Sequence, residues 1–354
     1  MDLTLAREQA MLVESARRFL ARACPLADVR ALERDPRGFR PALWREIAGL
    51  GWTGLELPAA DGGSGLGFLE TALVAEEMGR VLLPSPFIPT VVMAAPLLAG
   101  VERPWLARIA AGEGVATLAL AEPGWRDLWG TPALAGGRLT GRKLFVPFAP
   151  DADLILVATA GPSLVAVERG AAGVTCMRLA TLGGDPVYEV VFDGVRGEPL
   201  GPPGGAGPVL ACALDRGAVA TLAYLVGAAE RALEMTVEHA KTRVQFGRPI
   251  GAFQAVAHRC ADMRSDVDAL RYVVYQAAWT LASRRDPSLA VGAALAYGLE
   301  ALRRIFMHAH QVHGAIGFST EHDLHLFTRR AKAAELQWGA PARHHERVAV
   351  AMGL

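Results

Sequence analysis

The residues best suited to chemistry lie in two segments. The first runs Lys241-Thr242-Arg243-Val244-Gln245-Phe246-Gly247-Arg248-Pro249-Ile250-Gly251-Ala252-Phe253-Gln254. The second runs Gln311-Val312-His313-Gly314-Ala315-Ile316-Gly317-Phe318 and continues to Glu321-His322-Asp323. Arg243 can offer an anion a planar, bidentate fork. Gly314 and Gly317 let backbone approach a ligand closely. Phe246 can pack on a flat ring, with Phe253 as a second aromatic nearby, and the amides of Gln254 and Gln311 can both donate and accept. Metal chemistry has no such support. Cys24, Cys176, Cys212 and Cys260 are far apart, with no CxxC and no Cys/His cluster, so neither a zinc site nor a disulfide framework is predicted. His344 and His345, beside Arg343, Glu346 and Arg347, read as an exposed helix face.

The elements that must position these residues change in texture along the chain. From Leu3 to about Gly114 the pattern is helical, with Leu5, Met11, Leu12, Ala16, Phe19 and Leu20 recurring near the helical period. Phe68–Arg80 reads as a second strong helix. From Val115 to Leu200 strand-like runs appear at Thr117–Ala121, Leu154–Ala158, Leu164–Val167, Val174–Met177 and Val187–Phe192, separated by Gly, Pro and Asp. A Gly/Pro-rich linker at 201–208 leads into helices to the end, with Ala218–Ala229 so apolar that it must be buried. The fold class is therefore α+β, in three parts: an N-terminal helical domain (1–114), a middle antiparallel β-barrel or sandwich (115–206) and a C-terminal four-helix bundle (207–354).

Composition excludes several classes. Among 354 residues, 36 Lys+Arg balance 36 Asp+Glu, so there is no basic excess to suit a nucleic-acid binder. A net charge near zero favours association with a copy or a partner. Gly 38 and Pro 22 fall well short of a low-complexity chain. The uncharged stretch Val81–Val101 is broken by Pro84, Pro86, Pro89 and Pro96, so it reads as a buried connection rather than a membrane span. Asp2, Arg7 and Glu8 interrupt any leader, and the expected location is the cytoplasm.

The two segments that open this description resemble the two signatures of the acyl-CoA dehydrogenase family, and the spacing between them matches without a gap. Gly51-Trp52, Pro58 with Gly62-Gly63, Glu77-Met78-Gly79-Arg80, Glu122-Pro123-Gly124 and Phe192-Asp193 extend the resemblance over the whole chain. It implies the same helix–sheet–helix order, FAD as cofactor and α,β-desaturation of an acyl-CoA, with electron-transfer flavoprotein as acceptor. It also implies that Arg243, Phe246, Phe253, Gln254, Gln311, Gly314, Ala315 and Gly317 contact the ADP half of an FAD held mainly by a neighbouring subunit.

The chain departs from that pattern where the reaction would occur. The family takes the substrate's α-proton with a glutamate. In most members it lies just before a glycine of the last helical region, which here is Trp338 before Gly339. A minority places it on the first helix of the C-terminal domain, and the matching residue here is Gly217. Indole is no general base. Asp215 and Glu335 are nearby carboxylates at non-matching positions. The flavin-ring contacts change too: Thr-Glu-Pro becomes Ala121-Glu122-Pro123, the following Gly-Ser falls within Gly124-Trp125-Arg126-Asp127, the flavin-packing Trp becomes Phe145, and the hydroxyl residue near N5 becomes Pro147. Proline brings neither N–H nor hydroxyl.

Residues that would contact ADP in trans persist, while those that would hold the ring and do the chemistry do not. This asymmetry resembles the heteromeric α2β2 acyl-CoA dehydrogenases that oxidise bulky CoA thioesters, notably steroid side chains. The leading expectation is the base-less subunit of such an enzyme, sharing FAD with a second acyl-CoA dehydrogenase chain. The alternatives are a homo-oligomeric dehydrogenase using Asp215 or Glu335 as a displaced base, another flavin-dependent oxidase or monooxygenase, and a non-enzymatic scaffold.

Overall fold

A computed structural model describes residues 4–99, 103–124, 133–135 and 137–354. Trp125, Arg126 and Asp127, where the altered Gly-Ser contact was located, lie outside the described residues. The chain opens with α1 (Arg7–Ala23), α2 (Leu26–Leu32), α3 (Pro41–Gly49) and α4 (Phe68–Arg80). A π-helical turn at Ile88–Ala94 runs into α5 (Ala95–Leu98), and α6 (Arg103–Ala110) follows. The strands are β1 (Ala116–Ala119), β2 (Ala133–Ala135), β3 (Arg138–Pro147), β4 (Leu154–Thr159), β5 (Ser163–Glu168), β6 (Val174–Arg178), β7 (Val187–Arg196) and β8 (Glu198–Leu200). Then come α7 (Gly207–Thr242), the small hairpin β9 (Val244–Gln245) and β10 (Arg248–Pro249), α8 (Gln254–Ala282), α9 (Ser288–His313), α10 (Leu324–Trp338) and α11 (Pro341–Ala351). The predicted order of helices, sheet and helices is the observed one.

The strands form two four-stranded sheets, ordered β1-β4-β5-β8 and β2-β3-β7-β6. One pairing departs from the antiparallel expectation: β1 runs parallel to β4, with Ala116 opposite Leu154 and Ala119 opposite Val157. A parallel pair needs a long crossover. The excursion through β2 and β3, which belong to the other sheet, supplies it.

Packing divides the chain differently from the three-part division expected at 114 and 206. It forms two compact units: Met1–Val29, Phe68–Leu83 and Ala218–Leu354 make one, Arg30–Gly67 and Pro84–Gly217 the other. The physical reason within the first unit is α4. Its residues Thr71 to Gly79 are buried all round, so it must be enclosed by other helices rather than lie on a surface. Arg17 of α1 holds Glu77 through two hydrogen bonds of 2.9 and 2.8 Å. Glu76 accepts from Arg271 (3.0 Å) and from the Tyr275 hydroxyl (2.8 Å) on α8. A buried carboxylate survives only with such partners.

Helices α4 and α7 approach through glycines. A Cβ on Gly79 would fall 1.6 Å from the Tyr224 carbonyl oxygen, and one on Gly227 would fall 1.8 Å from that of Glu76. Among the described residues α7 is the one helix long and apolar enough to cross a membrane. The Ala218–Ala229 stretch that makes it so is core, with Val219, Leu222, Leu225 and Val226 buried.

The Pro-rich stretch expected to be buried from Val81 to Val101 is buried over most of its described residues, with Gly100 and Val101 outside them. Its π-helical turn is tied to β1 by the Thr90 hydroxyl, which donates to the Ala116 carbonyl at 2.7 Å. The Arg178 guanidinium donates to the carbonyls of Glu33 and Asp35, and the Tyr188 hydroxyl donates to that of Pro36, joining the second sheet to the loop after α2.

Candidate functional site

The nucleotide-type residues come together at one corner of the first unit. Arg243 follows the last turn of α7, its N–H bonded to the His239 carbonyl (2.9 Å), while the Ile250 N–H returns to the Arg243 carbonyl (2.8 Å). These bonds close the β9–β10 hairpin, whose tip is Phe246-Gly247. Phe246 adopts φ +51°. A bulky residue pays strain for that conformation. It is also 91% exposed. Its ring meets Phe253 edge-on at 6.0 Å, and the Arg248 guanidinium lies 4.2 Å over the Phe253 ring. The hairpin thus presents an exposed aromatic beside the Arg248 cation. Gln254 is exposed at the first turn of α8.

Gln311 and Gly314 stand at the end of α9. Gly314 stops the helix at φ +66°, with no heavy atom within 4 Å of where its Cβ would be. Ala315 is exposed in the following turn, whereas Gly317 is buried, its missing Cβ 3.0 Å from that of His313. Leu302, Phe306, His310, Gln311, Gly314 and Phe318 line part of a cavity of about 560 Å³ between α9 and α10. This corner and the hairpin are joined by His239 of α7 and His313 of α9, stacked with ring centroids 4.6 Å apart. Sequence reading missed that stack, because His239 carries no motif of its own.

Trp338 and Gly217, the positions expected to match the family's base, are not carboxylates, and each has its own packing. Trp338 ends α10, its carbonyl accepts from His344 Nε2 at 2.9 Å, and Gly339 follows at φ +91°. Its indole N–H is buried with no acceptor among the described residues. His344 is therefore buried, not on an exposed face as expected, while His345 is exposed. Gly217 lies in the second unit. A Cβ there would sit 2.7 Å from Met93 Sδ and 3.0 Å from Met93 Cγ and Cε. Met93 belongs to the π-helical turn, and Arg216 holds that turn by donating to the Val92 carbonyl (3.2 Å) while pairing with Glu56 (2.6 Å). Any side chain at this position would have to displace Met93.

The displaced-base candidates sit in different settings. Asp215 lies within α7, about two turns past its start at Gly207. Glu335 lines the cavity and is clamped by Arg303 (2.6 Å) and Lys332 (3.0 Å). Burial acts to raise its pKa, but hydrogen bonds from Lys332 and Arg303 hold it below the ordinary value. That makes it a weaker base.

Ala121, Phe145 and Pro147, expected at the flavin ring, also lie in the second unit. Ala121 is buried and its carbonyl accepts the Leu144 N–H at 2.8 Å. The β3–β7 register shifts between Lys143 and Val146, and within that bulge Phe145 takes φ +55° and is 52% exposed. The Pro147 carbonyl is used by Thr117 Oγ1 at 2.7 Å. Beneath them Lys143 is fully buried, its ammonium 2.8 Å from Glu122 Oε1 and 2.9 Å from the Leu120 carbonyl. Burial lowers the Lys143 pKa against the pull of Glu122. This pair was not anticipated, although Lys143 is one of three lysines in the chain.

Comparison with known proteins gives the same frame. Residues 6–113 match the acyl-CoA dehydrogenase N-terminal domain and residues 205–353 the C-terminal domain. The chain is 34% identical to the acyl-CoA dehydrogenase FadE27 of Mycobacterium tuberculosis, over 92% of this chain and 91% of that one. It superimposes on the steroid acyl-CoA dehydrogenase Tcur3481-Tcur3483, as its G363A variant, with TM-score 0.89, 31% identity and 99% of each chain covered. It also superimposes on the ChsE4-ChsE5 complex of M. tuberculosis with TM-score 0.88 and 29% identity, covering 100% of this chain and 99% of that one. Whole-length similarity at this level, together with the shared fold, places the chain in the acyl-CoA dehydrogenase family.

Proposed function

We propose that this chain is the base-less subunit of a heteromeric, FAD-dependent acyl-CoA dehydrogenase. The observation that carries the reading is the split in the site. One family base position holds Trp338, and the other holds Gly217, where a side chain would have to displace Met93. The nucleotide corner, by contrast, keeps Arg243, Gln254, Gln311 and Gly314 with an exposed Phe246.

The residues fit the ADP half of FAD. Arg243 has the fork for a pyrophosphate, Phe246 a free aromatic face for adenine, and open space stands over Gly314. They do not fit a ring that needs a donor near N5, because Pro147 has none. When bound, FAD supplies the hydride acceptor for the substrate's β-carbon. In this chain Arg243 and the two amides bind and orient the nucleotide end, while the proton at the substrate's α-carbon is taken by a glutamate of a second acyl-CoA dehydrogenase chain. The likeness to the steroid acyl-CoA dehydrogenase Tcur3481-Tcur3483 supports a bulky CoA thioester such as a steroid side chain as substrate, and the likeness to the ChsE4-ChsE5 complex supports a second subunit. Electron-transfer flavoprotein as acceptor and a cytoplasmic location complete the reading.

Expression of the chain alone and together with a second, glutamate-bearing acyl-CoA dehydrogenase chain tests it. Only the co-expressed pair should desaturate an acyl-CoA. A purified single chain that holds stoichiometric FAD and turns over overthrows the proposal.

A further inference from the structure

The corner that carries the nucleotide-contacting residues is held by imidazoles where a core of aliphatic side chains would ordinarily do that work. His313 stacks on His239 (4.6 Å, 21° between planes) and meets His322 edge-on at 4.9 Å. One turn earlier on α9, His310 stacks on Phe318 at 4.3 Å. These rings join the end of α7, the end of α9, the Gly314–Phe318 turn and the loop before α10.

The protons on two of the rings can be assigned from their partners. His313 Nδ1 is 2.8 Å from the Ala309 carbonyl, which can only accept, so Nδ1 carries the hydrogen. The Thr328 hydroxyl donates to the Leu324 carbonyl (3.2 Å), so His310 Nε2, 2.7 Å from that hydroxyl, must donate to it. The remaining nitrogens, His313 Nε2 and His310 Nδ1, are buried lone pairs with no hydrogen-bond partner among the described residues. A second proton on either ring would create a buried N–H with no acceptor and a cation among like charges.

The groups that act on His313 are His239 on α7, His322 in the loop and His310 on α9. Behind them stand Arg243 beside His239 and His325 of α10 beside His310. All carry, or gain on protonation, positive charge.

We propose that this imidazole stack is an acid-released latch: neutral rings hold the Gly314–Asp323 turn closed against α7 and α9, and protonation frees it. The functional consequence, loss of the nucleotide contact at mildly acidic pH, rests on the assignment of Arg243, Gln311 and Gly314 to FAD. Burial, ahead of the neighbouring imidazoles, pulls the His313 pKa down to about 4. In an opened turn it returns to about 6.5. The open form therefore gains a proton between those values while the closed form does not, so opening becomes easier as pH falls below 6.5. For His313 alone, the opening constant rises about 30-fold between roughly pH 7.5 and pH 5.

Hydrogen exchange on the full chain tests the latch. Protection factors, corrected for the intrinsic pH dependence, should fall by about that factor for residues 314–323 while the core of α8 stays protected. His313→Gln should abolish the fall. His322→Gln, a change in the half-buried loop that leaves α9 intact, should reduce it. Protection in 314–323 that is independent of pH, or that falls equally in wild type and both variants, overturns the latch. FAD retention by the co-expressed complex at the same two pH values tests the consequence separately. Opening of the turn with FAD fully retained at pH 5 supports the latch and removes this corner from the cofactor site.

Discussion

Replacing Gly217 by alanine should destabilise the protein, although the same change inside a helix ordinarily stabilises it by about 0.5–1 kcal/mol. The new Cβ would sit 2.7 Å from Met93 Sδ and 3.0 Å from two further Met93 atoms. Carbon and sulfur atoms settle at roughly 3.5–4 Å. The thioether would therefore have to retreat by most of an ångström, from a position where it is buried in the π-helical turn. Forced repacking of that kind costs about 1–3 kcal/mol. Set against the helix-propensity gain, the net loss is about 1–2 kcal/mol. Met93→Ala costs about 2–5 kcal/mol by itself. It also clears the obstacle, so in that background Gly217→Ala should recover its ordinary gain. The predicted coupling is about 2 kcal/mol, well outside the ~0.3–0.5 kcal/mol scatter of independent sites. Urea unfolding of the wild type, both single variants and the double variant measures it. If Gly217→Ala has the same effect in both backgrounds, the steric argument is wrong, and the case that this base position is closed by packing goes with it.

Other expectations follow from the same distances. Gly227→Ala, whose Cβ would meet the Glu76 carbonyl at 1.8 Å, should cost about 3 kcal/mol or prevent folding, because rigid backbone rather than a side chain would have to yield; thermal unfolding reads it. Lys143→Met strands the partly buried Glu122 and should cost about 3–5 kcal/mol, whereas Lys143→Met with Glu122→Leu should restore much of the loss. Burial raises the Glu230 pKa, but hydrogen bonds from Arg264 and Arg271 outweigh it and hold the group at about 2. Its contribution of about 3 kcal/mol is therefore present above pH 4.5 and lost as pH falls toward 2, and Glu230→Gln should flatten acid unfolding in that window. In the assembled complex, Phe246→Ala should leave the fold intact and weaken FAD retention, since a 91% exposed ring contributes little to this chain's own core.

Much of the fold was legible because its signals are local. Phe68–Arg80 is expected with the observed bounds, and the runs at Leu154, Leu164 and Val174 match strands within one residue at each end, while the run from Val187 continues four residues further, to Arg196. β2 and β8 are three residues each and carry no alternation that could mark them. The parallel β1–β4 pairing could not be read, because register between distant strands is decided by the second sheet inserted between them. The missing carboxylates at Trp338 and Gly217 were visible as residue types. That Met93 fills the space at Gly217 was not, since nothing in Ile88–Ala94 announces a π-helical turn or its direction. His344 misled for a related reason: its charged neighbours suggest a solvated face, yet its ring turns back to the Trp338 carbonyl. The imidazole stack draws on α7, α9 and a loop, so only the packed chain brings its members together.

On the proposed reading, this chain lends nucleotide contacts to an FAD whose ring and base belong to another subunit. FAD released by denaturing the purified complex, counted against the two chains, tests it most directly when Arg243→Ala is introduced in this chain alone. The expected result is one FAD per pair of chains in the wild-type complex, none in this chain by itself, and marked loss of FAD from the assembled Arg243→Ala complex. Full FAD content in the Arg243→Ala complex, or in the isolated chain, would contradict it.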